Sequence, residues 1–135
     1  MNGSYSKSEH PLLIVVLNGE PQIEYDRSKP LPDQQRAYLD RMDFQMDGGI
    51  VLGGQTVEQP DQLQRAQFIS IHAIQALQQG NEALVAASCA YLATRMPDLK
   101  QIKARMVEGG LSVELVFDKP HIKEETVRFV TRPGV

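Results

Sequence analysis

One stretch, residues 83–96, constrains the fold of this chain more than any other. It reads ALVAASCAYLATRM, and no charged residue lies between Glu82 and Arg95. A surface helix carries charges on one face, so a helix without them is expected to be covered on nearly every side. The run is shorter than the roughly 18 apolar residues of a membrane span. We therefore predict a buried central helix over residues 82–96 and no membrane association.

The length and composition indicate one globular domain. A chain of 135 residues matches a single domain of common size, and 41% hydrophobic with 23% charged residues is a globular composition. We expect a flexible N-terminal tail over residues 1–11 and one globular α+β domain over residues 12–135. The net charge of -3 argues against a nucleic-acid partner, since duplex binding depends on many Lys and Arg side chains.

The cysteine content and the N-terminus predict a cytoplasmic protein. Cys89 is the single cysteine, which excludes an internal disulfide framework and fits a reducing compartment. The polar first residues are followed by only a short apolar run, too short for the core of a signal peptide. Cys89 would act as a nucleophile only if it were exposed beside a base. In an uncharged alanine-rich helix, we interpret it as a core residue.

The N-terminal part of the chain has the pattern of a β-hairpin. Residues 12–17 read LLIVVL, and Asn18-Gly19 is a strong signal for a two-residue turn. A second strand over residues 20–25 contains Pro21, which cannot donate a ladder hydrogen bond and is therefore expected at a sheet edge. The first strand is apolar on both faces, so both faces need cover.

Four segments show apolar residues at helical spacing. They are residues 33–47, 61–79, 82–96 and 98–108. Asp61 and Gln64 form an approximate capping box. The Gly80-Asn81 turn is so short that the second and third helices are expected to form an antiparallel helical hairpin. In the fourth segment, Leu99, Ile102 and Met106 share one helical face.

The remaining patterns predict strands and complete the fold. Residues 111–118 alternate apolar and polar side chains, residues 126–131 form a weaker strand, and residues 50–57 form a short hairpin. The predicted fold is a single two-layer α+β domain in which the four helices pack on a small, mainly antiparallel sheet. That sheet contains residues 12–17, 20–25, 111–118 and 126–131, and the hairpin 50–57 lies apart from it.

No motif in the sequence supports an enzyme or a cofactor. None of the three Gly-Gly pairs stands between a strand and a helix with a following Lys-Ser or Lys-Thr, so a phosphate loop is not predicted. His10, His72 and His121 stand alone, without the spacing of metal ligands. We predict no catalytic residue, no metal and no cofactor.

Two groups of side chains are candidates for binding. Four aspartates line one face of helix 33–47, where they would suit a hard cation or a basic partner: Asp33, Asp40, Asp43 and Asp47. The simpler interpretation, which we favour, is a solvated face diluted by Arg36. Four side chains of helix 61–79 lie opposite its apolar face: Arg65, Phe68, His72 and Gln75.

Arginine beside an aromatic ring is a composition enriched at protein interfaces. The simpler interpretation is that Phe68 lies under the small hairpin or the acidic helix.

The sequence supports two functional hypotheses. The first is a non-catalytic protein-interaction or assembly module that self-associates, because a symmetric dimer would cover the two-faced strand 12–17. The alternative is a small-molecule-binding protein or small enzyme whose pocket lies between sheet and helices and uses His72 with Arg65.

Overall fold

The computed structural model describes residues 12–118, and this part of the chain is an α+β fold. Its elements, in order, are β1 (Leu12–Leu17), β2 (Glu20–Asp26), α1 (Asp33–Asp47), β3 (Ile50–Leu52), β4 (Gln55–Val57), α2 (Gln62–Gln79), α3 (Glu82–Arg95), β5 (Gln101–Val107) and β6 (Gly110–Val116). The predicted tail 1–11 and the predicted strand 126–131 lie outside the described residues.

Four strands form the main sheet in the order β2-β1-β5-β6. The β1–β2 and β5–β6 pairs are antiparallel, whereas β1 and β5 are parallel. Asn18 and Gly19 both have positive φ, 53° and 84°, as a two-residue hairpin turn requires. The N-terminal hairpin is thus confirmed, and the short hairpin β3–β4 forms a separate two-stranded sheet as predicted.

The predicted helix over residues 98–108 is wrong, because the chain forms β5 there. Residues 101–107 also alternate, with Ile102 and Ala104 buried and Lys103 and Arg105 exposed. A short apolar run fits both periods, and its spacing alone cannot decide between them. The turn at Glu108 and Gly109 pairs β5 with β6 along its whole length, so tertiary pairing determines the strand. The described residues therefore contain three helices rather than four.

The three helices begin and end close to the predicted positions. Asp61 accepts from the backbone N–H of Gln64, and the Gln64 side chain accepts from the N–H of Asp61, which completes the capping box. Gly80 ends α2 in the left-handed conformation. Asn81 then caps α3 by accepting from the N–H of Leu84. The helices α2 and α3 pack closely against each other.

The core lies between one face of the sheet and the three helices. Its sheet side includes Leu13, Val15, Ile102 and Ala104, and α3 contributes the fully buried Tyr91 and Leu92. Ser88 and Cys89 are each only 1% exposed, which agrees with a central role for α3. However, Ala83 and Ala86 near its N-terminus are exposed. The predicted cover on nearly every side therefore holds only for the C-terminal part of this helix.

Strand β1 is buried on both faces, as its sequence requires. Leu13 and Val15 face the helices, whereas Ile14 and Val16 lie on the opposite face and are 7% and 3% exposed. Because Ile14 and Val16 are already buried in the single chain, the need to cover this face does not by itself require a dimer. Within residues 12–118, none of the helices combines the length and the hydropathy that crossing a membrane requires.

Candidate interaction surface

A network of ion pairs connects all three helices near the C-terminal end of α1. Arg65 of α2 donates from Nη1 to Asp43 Oδ1 at 3.0 Å and from Nη2 to Asp47 Oδ1 at 2.6 Å. Arg95 of α3 donates from Nε to Asp43 Oδ2 at 2.9 Å and from Nη2 to Asp40 Oδ1 at 2.8 Å. Arg65 thus pairs with two of the four predicted aspartates, Asp43 and Asp47, and Asp40 joins the same network through Arg95.

Asp43 is the centre of this network. Its carboxylate accepts from Arg65, from Arg95 and from the hydroxyl of Tyr91. Partial burial favours a higher pKa, but the hydrogen bonds from Tyr91, Arg95 and Arg65 outweigh it and hold the pKa of Asp43 below its usual value. Burial, together with the bond to Asp43, raises the pKa of Tyr91 to about 12. Asp43 is therefore ionised and Tyr91 is protonated at neutral pH.

The other predicted acidic residues are more open to solvent. The side chain of Asp40 is 78% exposed and that of Asp47 is 58% exposed. Asp33 is fully exposed and makes only a loose pair of 3.7 Å with Arg36. Within the described chain, no three His, Cys, Asp or Glu residues are placed to hold a metal ion. The carboxylates nearest the core bind guanidinium groups of the same chain instead.

The other predicted binding residues of α2 do not join Arg65. The Phe68 ring packs against the core, and its centroid lies 4.3 Å from that of His72. Nδ1 of His72 donates to the carbonyl of Phe68 at 2.9 Å. Phe68 and His72 are half-buried, and Gln75 is the most exposed of the three.

An open groove of about 920 Å³ separates the N-terminal half of α1 from that of α3. Alanines of α3, including Ala83, Ala86 and Ala87, line one side, and Tyr38 and Arg41 of α1 line the other. The Arg41 guanidinium lies 5.3 Å from the centroid of the Tyr38 ring. The volume is within the range of small-molecule pockets, and Tyr25 also lines the groove, so strand β2 of the main sheet borders it beside the two helices.

The two outer strands of the main sheet differ in how they can meet another strand. Among residues 12–118, nothing pairs with the outer side of β2 or of β6. Strand β2 contains Pro21, lies opposite a register shift between Val15 and Val16, and carries Glu20 and Glu24. Proline, a bulge and like charges are the features that keep an edge strand from pairing. This edge is protected.

Strand β6 has none of this protection. It reads GLSVELV, with no proline and with Glu114 as its single charge. Its pairing with β5 runs from Gln101 opposite Val116 to Val107 opposite Gly110 without a register shift. A regular, weakly charged edge of this length is a template for a further strand. Large apolar side chains are exposed beside it: Met106 at 47%, Val107 at 45% and Phe117 at 37%.

Three features were not predicted from the sequence: Tyr91, Arg95 and the edge of β6 that no other strand of residues 12–118 covers. A tyrosine inside an uncharged helix was a usable signal, since a buried hydroxyl needs a partner. Arg95 ends that helix, but nothing local predicts which carboxylate it meets. The edge was missed because residues 98–108 were assigned to a helix.

Comparison with known proteins yields no relative from which a function could be transferred. No protein-family model, no curated protein and no solved structure matches this chain.

Proposed function

We propose that this protein is a non-catalytic interaction or assembly module that associates with itself. The observation that carries the proposal is the difference between the two sheet edges within residues 12–118, where β2 is protected and β6 is regular and has no strand paired to its outer side. Soluble proteins normally block such an edge unless it has a partner. The exposed Met106, Val107 and Phe117 at the ends of the same hairpin support an interface there.

The ion-pair network contributes rigidity to this module. Arg65 and Arg95 fasten α1 to the helical hairpin α2–α3 through Asp43. Strand β6 in turn contacts α2. A preorganised surface loses less conformational entropy on binding than a mobile one. We therefore assign Arg65 and Asp43 a structural role behind the interface rather than a place in it.

The test is the oligomeric state of the full chain in solution. Size-exclusion chromatography with light scattering is run over a series of concentrations around the micromolar range. Self-association predicts a mass that rises with concentration toward twice the 15.1 kDa of one chain. A mass of one chain at every concentration would contradict it.

A second candidate function is the binding of a small molecule in the groove between α1 and α3. The specific observation in its favour is the volume of about 920 Å³ with Tyr25, Tyr38 and Arg41 among its lining residues. In this version the site does not use His72 and Arg65, whose side chains bond to Phe68 and to α1 respectively. The alternative predicted from the sequence requires the side chains of His72 and Arg65 to converge on one cavity.

Thermal-shift screening distinguishes this second candidate from the first. A ligand of the groove raises the melting temperature of the native chain and loses this effect in Ala86→Leu, which places a larger side chain on the groove wall. The same variant leaves β6 untouched, so the mass measured by light scattering is expected not to change. If the ligand also stabilises Ala86→Leu, the groove is not its site.

A further inference from the structure

We infer that the strand that pairs with β6 is β6 of a second copy of this chain, antiparallel and related by a two-fold axis through Val113. The inference rests on the proposed self-association and specifies its geometry. It would join two four-stranded sheets into one continuous sheet of eight strands.

The backbone directions determine which groups are available for this pairing. Ile14 donates to the carbonyl of Lys100, and Asn18 donates to the carbonyl of Ala104, so the even-numbered residues of β5 face β1. The odd-numbered residues of β5 consequently face β6. Since Lys103 lies opposite Glu114, the even-numbered residues of β6 point inward. The N–H and C=O groups of Leu111, Val113 and Leu115 therefore point outward, toward a new strand.

The register follows from the length and charge of the strand. Val113 is the middle residue of Gly110–Val116, so an axis through it pairs all seven residues of β6. An axis through Glu114 would place the two Glu114 carboxylates directly opposite each other, which is destabilising. An axis through Ser112 would leave the end of the strand unpaired. Self-pairing about Val113 avoids both problems.

The polar face of the sheet is complementary to itself in this register. Glu114 would face the partner's Ser112, and within its own chain it already lies opposite Lys103. Arg105 lies opposite Ser112 in each chain. The carboxylate of Glu114 would thus lie in a row with Lys103 on one side and the partner's Ser112 and Arg105 on the other. In this register no like charges lie directly opposite each other across the axis, which would be destabilising.

The apolar face is also complementary. The two Val113 side chains would lie opposite each other, and Leu111 would lie opposite the partner's Leu115. These three residues are half-buried and pack against the hydrophobic core. A second copy would complete their burial and would bring the exposed Phe117 toward the β5–β6 turn of the other chain, beside Met106 and Val107. The interface would continue the core across the axis.

The first experiment compares one proline at each edge of the sheet in the full chain. Val113→Pro removes an outward N–H of β6 and no hydrogen bond to β5. Glu24→Pro is its matched control, because the pairing of Leu13 with Tyr25 and Val15 with Ile23 likewise leaves the N–H of Glu24 pointing outward from β2. We expect light scattering to give a dimer for the wild type and for Glu24→Pro, and a monomer for Val113→Pro.

The second experiment tests the register without a proline. Ser112→Cys mixed with Glu114→Cys should form a disulfide-linked dimer on mild oxidation, because the two positions face each other closely across the axis. Neither variant alone should crosslink efficiently, since identical positions then lie on a diagonal of roughly 7–8 Å. The native Cys89 is 1% exposed and does not interfere. This measurement decides the question if Val113→Pro fails to fold.

Each outcome has a definite meaning. A Val113→Pro variant that is still dimeric, or efficient crosslinking of Ser112→Cys alone or Glu114→Cys alone, overturns the pairing about Val113 while self-association stands. A wild-type chain that is monomeric at every concentration overturns both. In that case a fall in the melting temperature of Val113→Pro well beyond that of Glu24→Pro would indicate that another segment of the same chain occupies the edge.

Discussion

Tyr91 donates a hydrogen bond from its hydroxyl to Oδ1 of Asp43 at 2.5 Å, which joins the central helix α3 to the acidic face of α1. The ring of Tyr91 is fully buried, and the carboxylate also receives two guanidinium groups. The Tyr91 side chain therefore joins the apolar core, through its ring, to the ion-pair network, through its hydroxyl. The contact also gives the buried hydroxyl of Tyr91 a hydrogen-bond partner within an otherwise mainly apolar run.

Tyr91→Phe should lower the free energy of unfolding by about 1–2 kcal/mol, since it removes a hydrogen bond to a charged acceptor while keeping the ring. Urea unfolding followed by circular dichroism measures the change. Tyr38→Phe is the control, because that side chain is 39% exposed on α1. An equal loss in both variants would show that the bond to Asp43 has no special role.

Asp43→Asn should destabilise the protein at neutral pH by roughly 2 kcal/mol, because it leaves Arg65 and Arg95 without their shared partner. Hydrogen bonds hold the pKa of Asp43 below the value of about 3.8 that the unfolded chain has. The stabilisation by its ionised form is therefore complete above that pH and is lost as the pH falls through the lower, folded pKa.

The difference in stability between wild type and Asp43→Asn should accordingly shrink below about pH 4. Melting temperatures measured from pH 7 down to the acid limit of folding test this. Asp33→Asn serves as the control, because Asp33 lies on the same helix but is fully exposed and outside the network. A difference for Asp43→Asn that stays constant into acid would contradict the assignment.

Ser88→Ala should leave the stability unchanged or raise it by up to about 1 kcal/mol. The Ser88 hydroxyl is buried and has no hydrogen-bond partner among the described residues, and alanine is the better helix former. Thr94→Ala is the comparison, since Thr94 is exposed on the same helix and reports the gain in helix propensity alone. A clear loss of stability in Ser88→Ala would reveal a partner for the hydroxyl.

Gly80→Ala should destabilise by about 1 kcal/mol, because Gly80 ends α2 with φ of 75°, a conformation that alanine adopts with strain. Gly48 ends α1 with φ of -83°, and an added Cβ there meets no atom closer than 3.9 Å. Gly48→Ala is therefore expected to be neutral or slightly stabilising. Thermal unfolding of both variants gives the comparison, and opposite signs are the decisive result.

The sequence predicted elements whose signals are local. Asn18-Gly19 requires a hairpin turn, Asp61 with Gln64 requires a helix start, and the uncharged run around Cys89 requires burial, and all three are found. Residues 101–107 were misassigned because a seven-residue apolar pattern fits both a helix and a strand. The hairpin with β6 and the parallel pairing with β1 decide the matter.

The sequence predicted which residues share a face on each helix, but not that the two groups of candidate binding residues contact each other. The stripe containing Asp43 and the position of Arg65 can each be read from helical periodicity, but their meeting depends on how α1 packs across α2 and α3. Interhelical packing is a tertiary property that local spacing does not encode. The edge of β6, unpaired among residues 12–118, is a tertiary property too, because it can be recognised only once β5 is known to be a strand.

The parallel pairing of β1 with β5 has a consequence for biosynthesis. The partners Ile14 and Gln101 are separated by most of the described chain, so closing this contact carries a large loop entropy, and topologies of this kind are expected to fold slowly. As the polypeptide leaves the ribosome, the apolar N-terminal hairpin emerges long before the strand that completes it. The edge of β1 that pairs with β5 stays unpaired while the three helices are synthesised. Unpaired strand edges favour aggregation, so we expect the nascent chain to be most prone to it in that interval.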